Sequence, residues 1–180
     1  DFFSSNTGAI SSYMIKKLGS EYLIVGHSDN RHEGDDDKTI QKKLIYALKN
    51  NLKVILCLGE NKIEKQKKKT FKILKKQIEK AINKKKININ KIIVAYEPIW
   101  SIGTGETPDV ENLTHIIKFI KSNLEKNMKT KKSPPVLYGG SLDASNVSKF
   151  KHINELDGFL IGGASKSSKN FIDIIKNYYR

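Results

Sequence analysis

Along the 180 residues, short, uniformly apolar runs alternate with longer stretches in which apolar residues recur every three or four positions. The runs span 21–26, 52–58, 91–96, 136–140 and 157–162. Each is rich in Ile, Leu and Val and lacks strict alternation, which predicts parallel strands covered on both faces. The stretches between them predict amphipathic helices. Ile40, Leu44, Ile45 and Leu48 form one apolar stripe, and Val110, Leu113, Ile116, Ile117, Ile120 and Leu124 a second. Phe171, Ile172, Ile174, Ile175 and Tyr178 form another. The stretch 63–86 is predicted as one helix, with Ile63, Phe71, Leu74, Ile78, Ala81 and Ile82 buried and a lysine-clad outer face. Strand alternating with helix means parallel α/β. No Pro/Gly-rich linker or shift in composition divides the chain, so 1–180 is read as a single domain.

Parallel α/β leaves two architectures, an open doubly wound sheet or a closed (β/α) barrel. No G-x-G-x-x-G follows the first strand, which weakens the dinucleotide-binding reading. Every strand runs into polar or glycine-rich sequence: Gly26-His27-Ser28, Leu58-Gly59-Glu60, Tyr96-Glu97-Pro98, Gly139-Gly140-Ser141 and Gly162-Gly163-Ala164. Chemistry-bearing groups at the C-terminal ends of successive parallel strands mark the active face of a barrel.

Composition narrows the function. A formal net charge of +14 raises nucleic-acid binding as a possibility, but of 33 basic residues only Arg31 and Arg180 are arginine. Arginine is the side chain suited to bidentate phosphate and guanine contacts, so the lysines read as a solvated surface and no nucleic-acid partner is expected. No apolar run approaches the roughly 18 residues of a membrane helix. Cys57 is the sole cysteine, which excludes an intrachain disulfide and fits a reducing compartment; inside an apolar strand it reads as packing. No His/Cys/carboxylate set has metal-ligand spacing, and no metal or cofactor is expected.

Glu97, at a strand end and followed by Pro98, is placed to be a general base, although a lone Glu there is more often a capping or salt-bridged residue. His27 ends another strand just before a helix should begin; a helix N-terminus aimed at imidazole favours its neutral form, a hydrogen-bond donor to a carbonyl. The loop Trp100-Ser101-Ile102-Gly103-Thr104-Gly105 can pack over a site while its glycines let backbone approach a ligand. The clusters at 139–141 and 162–165 offer backbone N–H groups for a phosphate, and barrel phosphate sites use the loops after the last two strands.

These segments, YLIVGHS (22–28), CLGE (57–60), AYEPIWSIGTG (95–105), YGGS (138–141) and DGFLIGGAS (157–165), resemble the triosephosphate isomerase family, in family order and spacing. The resemblance implies a TIM (β/α)8 barrel, of which this chain holds about five C-terminal βα units, and a glycolytic and gluconeogenic enzyme interconverting dihydroxyacetone phosphate and glyceraldehyde 3-phosphate. It implies Glu97 as the proton shuttle and neutral His27 as the group polarising the carbonyl. Gly103, Ser141, Gly162 and Gly163 would bind the phosphate. The lid, 98–107, would include Pro98, Trp100, Ile102, Thr104 and Gly105, with Tyr138 latching it closed and Glu60 holding Trp100 when it is open. The residues 5–9 resemble a loop that reaches into a partner's site, implying a homodimer, and cytosol is the default compartment, a plastid the alternative.

Four places depart from the family pattern. Asp29 stands where Glu is usual and Asn30 where Arg is usual. Pro135 replaces an Arg. Pro108 follows the lid and would stiffen its hinge, measurable as a changed lid-opening rate in Pro108→Ala. The family's first three strands, with their Asn-x-Lys segment, have no counterpart here. The expectation is therefore a piece of a longer polypeptide, inactive as these 180 residues alone, with a truncated, non-catalytic interaction protein as the alternative.

Overall fold

The computed structural model describes residues 7–82 and 87–180. Its strands are β1 (Tyr22–Val25), β2 (Lys53–Leu58), β3 (Ile92–Tyr96), β4 (Val136–Tyr138) and β5 (Gly158–Phe159). They form one sheet in sequence order, and every neighbouring pair is parallel. A doubly wound sheet must reverse its strand order at a switch point. This sheet never does, so the chain is a partial (β/α) barrel. The register sets Leu56 beside Val94 and Val94 beside Val136, carrying one buried row across the three middle strands.

The helices are α1 (Ser12–Lys17), α2 (Ser28–His32), α3 (Asp37–Lys49), α4 (Lys62–Gln66), α5 (Thr70–Ile82), α6 (Val110–Met128) and α7 (Ser168–Tyr179). α3 packs on α5 and α5 on α6, forming a continuous helical layer over the sheet. The core lies between the two, where Leu44, Leu74, Ile78, Leu113, Ile117 and Ile120 are fully buried. α3, α5 and α6 each present to the sheet the face that their three- and four-residue spacing requires. Val110 is the exception in the α6 stripe, being 38% exposed in the first turn.

The helix expected over 63–86 is two helices. Lys67–Lys69 close α4: Lys69 N–H donates to Glu64 O and Lys68 N–H to Lys65 O, with Lys68 in the left-handed region at φ +53°. That is a Schellman motif, which usually signals itself with glycine. A lysine occupies the position here, so the sequence carried no stop signal. The break turns α4 away, and Ile63 and Phe71 are exposed instead of buried. Residues 83–86 of that stretch, and Ser5 and Asn6 of the expected partner loop, lie outside the described residues.

The edges also differ from expectation. β4 and β5 stop after Tyr138 and Phe159, earlier than the apolar runs do. β1 is only partly covered, with Tyr22 and Ile24 each 44% exposed. Of the final stripe only Ile174 is buried, while Phe171, Ile172 and Ile175 remain exposed on α7. Among the described residues, β1 and β5 each have a strand neighbour on one side only. The described core is complete at its centre and open at both flanks.

Candidate active site

The C-terminal ends of the strands converge on a cavity of about 250 Å³. Among the expected site residues, His27, Glu97, Ile102, Gly103, Ser141, Gly162 and Gly163 line it. Pro98, Trp100, Thr104, Gly105, Tyr138 and Glu60 do not line it; they lie in or beneath the lid segment.

Glu97 extends β3, where its N–H donates to Leu58 O at 2.7 Å. Its side chain is buried, and burial pushes the carboxyl above the ordinary glutamate range. The nearby His27, the Cys57 thiol and the Ser28 N–H act in the opposite direction, favouring the carboxylate. Burial also holds the Cys57 thiol protonated, with Glu97 adding to the effect, so Cys57 is a donor beneath the carboxylate and no nucleophile.

His27 caps α2. Its Nδ1 accepts the Asp29 N–H at 3.2 Å, which leaves the ring proton on Nε2 in the neutral imidazole. Nε2 lies 3.4 Å from Glu97 Oε1. Asp29 Oδ2 is also 3.4 Å from Nδ1, but that carboxylate is 84% exposed and its charge is screened by water. An imidazole and a buried carboxylate therefore face the same small volume from the ends of β1 and β3, on either side of β2.

Three glycines make room for this arrangement. A Cβ on Gly59 would overlap the Glu97 carbonyl oxygen, and one on Gly139 would come within 2.9 Å of Glu97 Cγ. A Cβ on Gly140 would overlap the Tyr138 hydroxyl. The sequence marked 139–140 as a possible anion cradle; its steric service to Glu97 and Tyr138 could be found only in three dimensions.

The lid segment is tied down at several points. Trp100 Nε1 donates to Glu60 Oε1 at 2.9 Å, and Tyr96 OH shares the same carboxylate at 3.1 Å and 3.2 Å. This is the contact the resemblance assigns to the open lid. Burial pushes the Glu60 carboxyl up, opposed by these hydrogen bonds. Thr104 Oγ1 donates to the Trp100 and Ser101 carbonyls, each at 3.1 Å, and accepts Glu106 N–H. Gly103 and Gly105 supply the positive φ values of the turn, +69° and +77°. Pro108 is buried beside Asp109, the N-cap of α6.

Ser101 was no more than a loop residue in the sequence, yet it is fully buried and sits at a junction. Its hydroxyl donates to Glu106 O at 2.5 Å and accepts the Ser141 N–H at 3.1 Å. Having spent its one proton, it accepts from Tyr138 OH, 3.1 Å away. Ser141, expected on a phosphate, here gives its N–H to the lid. On the opposite wall a 3-10 turn begins at Gly163, and its first N–H groups have no acceptor within the turn.

Two further residues escaped the sequence reading. Gln77 of α5 exchanges two hydrogen bonds, both 3.0 Å, with the Gly59 backbone and so fixes the turn against Glu97. Arg31 donates to the Gly26 and Cys57 carbonyls, at 2.9 Å and 3.4 Å, joining the ends of β1 and β2, and pairs with Asp37 at 3.2 Å. Its rarity in a lysine-rich chain was the available signal. No Lys or Arg lines the cavity among the described residues, despite the net charge.

Comparison with known proteins supplies the context. The family model for triosephosphate isomerase matches residues 4–178. A triosephosphate isomerase of Alkaliphilus oremlandii is 40% identical over 173 residues, covering 94% of this chain and 70% of the relative. That of Aquifex aeolicus is 37% identical over 174 residues, covering 96% and 70%. That of Mycoplasma mobile is 40% identical over 173 residues, covering 94% and 68%.

Proposed function

The chain belongs to the triosephosphate isomerase family, and from that premise we propose that it carries the proton-transfer half of a triose phosphate isomerase site. The observation that carries the proposal is the convergence of His27 Nε2 and Glu97 Oε1, 3.4 Å apart, on one cavity. Glu97, desolvated and held by Cys57 and Ser28, takes a proton from the carbon next to the carbonyl of dihydroxyacetone phosphate. His27 Nε2–H donates to the carbonyl oxygen and stabilises the enediolate as it forms. Glu97 returns the proton to the neighbouring carbon, giving glyceraldehyde 3-phosphate.

The phosphate would lie against the Gly162–Gly163 turn, with Gly103 and Ser141 joining it as the lid closes. That step releases Ser141 N–H from Ser101. Closure excludes water, so the intermediate does not lose its phosphate. A cavity without a cationic side chain leaves the substrate's charge unbalanced. The Asn-x-Lys segment of a longer polypeptide is the source this reading requires, and the same strands would cover the open flanks of β1 and β5. A homodimer in the cytosol completes the proposal. No helix among the described residues is long and apolar enough to cross a membrane. Keeping Glu97, His27 and the lid in working register favours the enzyme over an interaction-only protein.

The intact mass of the expressed protein and its isomerase activity test this together. A mass well above 20.4 kDa with activity supports it; a mass of 20.4 kDa with full activity removes the need for the missing cation. In the active protein, Glu97→Asp is expected to lower kcat by about 100-fold or more with KM little changed, because the base is withdrawn by one methylene. Near-parental kcat would refute the role.

A further inference from the structure

Trp100 is gripped from two directions by one short segment. Glu60, at the end of β2, accepts from the indole N–H at 2.9 Å. Lys65, five residues on in α4, holds its Nζ 3.0 Å above the ring centroid. An aromatic ring carries negative charge density on its face and positive density at its edge. A cation over the face and an anion at the edge therefore both match the indole, and each strengthens the other's hold. The start of α4, directly after Glu60, is closed by the capping box of Asn61 and Glu64, with bonds of 2.9 Å each way. The same helix reaches the far end of the lid, where Lys62 Nζ lies 4.0 Å from Glu106 Oε1. Both of those groups are mostly exposed, so this second contact is weak.

Trp100 does not line the cavity; it is packed to the side of it, against α4. Holding it there keeps the first turn of the lid beside α4. We propose that Lys65 is a positioning residue of the lid: its ammonium clamps the Trp100 ring and biases the lid toward the arrangement seen here. The lysine surface of α4, which the sequence offered only as a solvated face, thereby gains one member with a defined task. The consequence for turnover rests on the isomerase reading; the clamp itself does not.

Trp100 is the sole tryptophan of the 180 residues, so in this chain indole fluorescence reports this contact. The test compares the expressed parental protein with Lys65→Met, which keeps the apolar stem, and Lys65→Arg, which keeps the charge. Loss of an exposed cation–π contact is expected to raise acrylamide quenching of Trp100 about twofold to fivefold in Lys65→Met, with Lys65→Arg restored to the parental value. In the active enzyme, Lys65→Met is expected to lower KM and kcat together by a similar factor, because the freed lid closes more readily and opens more slowly. Unchanged quenching in Lys65→Met, or failure of Lys65→Arg to restore it, overturns the clamp. Altered quenching with unchanged KM and kcat overturns its effect on the lid. An inactive parent would count against the isomerase reading and leave the fluorescence comparison to decide the clamp.

Discussion

The middle of the sheet and its two flanks are built differently. β2 and β3 are almost wholly buried, pair on both sides and end in turns that side chains from elsewhere lock in place. Glu97 rises from this centre, its carbonyl packed on Gly59 and its side chain on Gly139. β1 and β5, by contrast, are short, half-covered and paired on one side. They carry His27 and the Gly162–Gly163 turn. The carboxylate proposed as the base stands on the part of the fold that can yield least. The groups proposed to meet the rest of the substrate stand where the described core is open.

Removing the charge at the centre gives the largest expected effect. Glu97→Gln should abolish measurable turnover, yet raise the thermal midpoint near neutral pH. The reason is one of sign. Burial raises the carboxyl pKa in the folded state, so the native protein is most stable with Glu97 protonated and loses stability as pH rises through that value. The stability gain of the variant should therefore vanish below about pH 4, where both are neutral even when unfolded. A variant less stable than the parent at pH 7 would show that the carboxylate is better compensated than its burial implies.

Gly59→Ala comes next, because its Cβ meets backbone that cannot swing aside. A loss of about 3 kcal/mol or more in urea unfolding is expected, the range reached by strain and overpacking in a core. A loss under about 1 kcal/mol would mean the centre relaxes as freely as an edge.

Two truncations measure the contrast itself. Leu56→Ala, fully buried in β2, should cost about 2–5 kcal/mol. Ile24→Ala in β1, 44% exposed, should cost about 1 kcal/mol in the 180-residue chain. In a longer polypeptide whose added strands cover β1, the Ile24 penalty should rise toward that of Leu56. Equal penalties in both lengths would rule out that covering.

The smallest expected effect is a gain far from either region. Lys68→Gly relieves the left-handed residue that ends α4, and stability should rise by about 0.5–1 kcal/mol. No gain would show that Lys68 is held there by something besides the turn.

What the sequence determined by itself was the succession of elements and the candidates for the reactive groups. Continuous apolar runs and three- and four-residue stripes are local patterns, and they placed the five strands, α3, α6 and α7 without the structure. The strand-end motifs singled out Glu97, His27 and the lid for the same reason: each is a short contiguous string. The split at Lys68 was hidden because a turn that favours glycine was closed by lysine. Only the tertiary structure decided what nonlocal packing decides: Gln77 bonded to Gly59, Arg31 joining two strand ends, Ser101 between Tyr138 and Ser141, and Lys65 over Trp100. It also decided which apolar residues were buried, since the stripe on α7 and the run in β1 look as hydrophobic as those at the centre. Burial depends on what packs against a face, and a one-dimensional pattern records only the face.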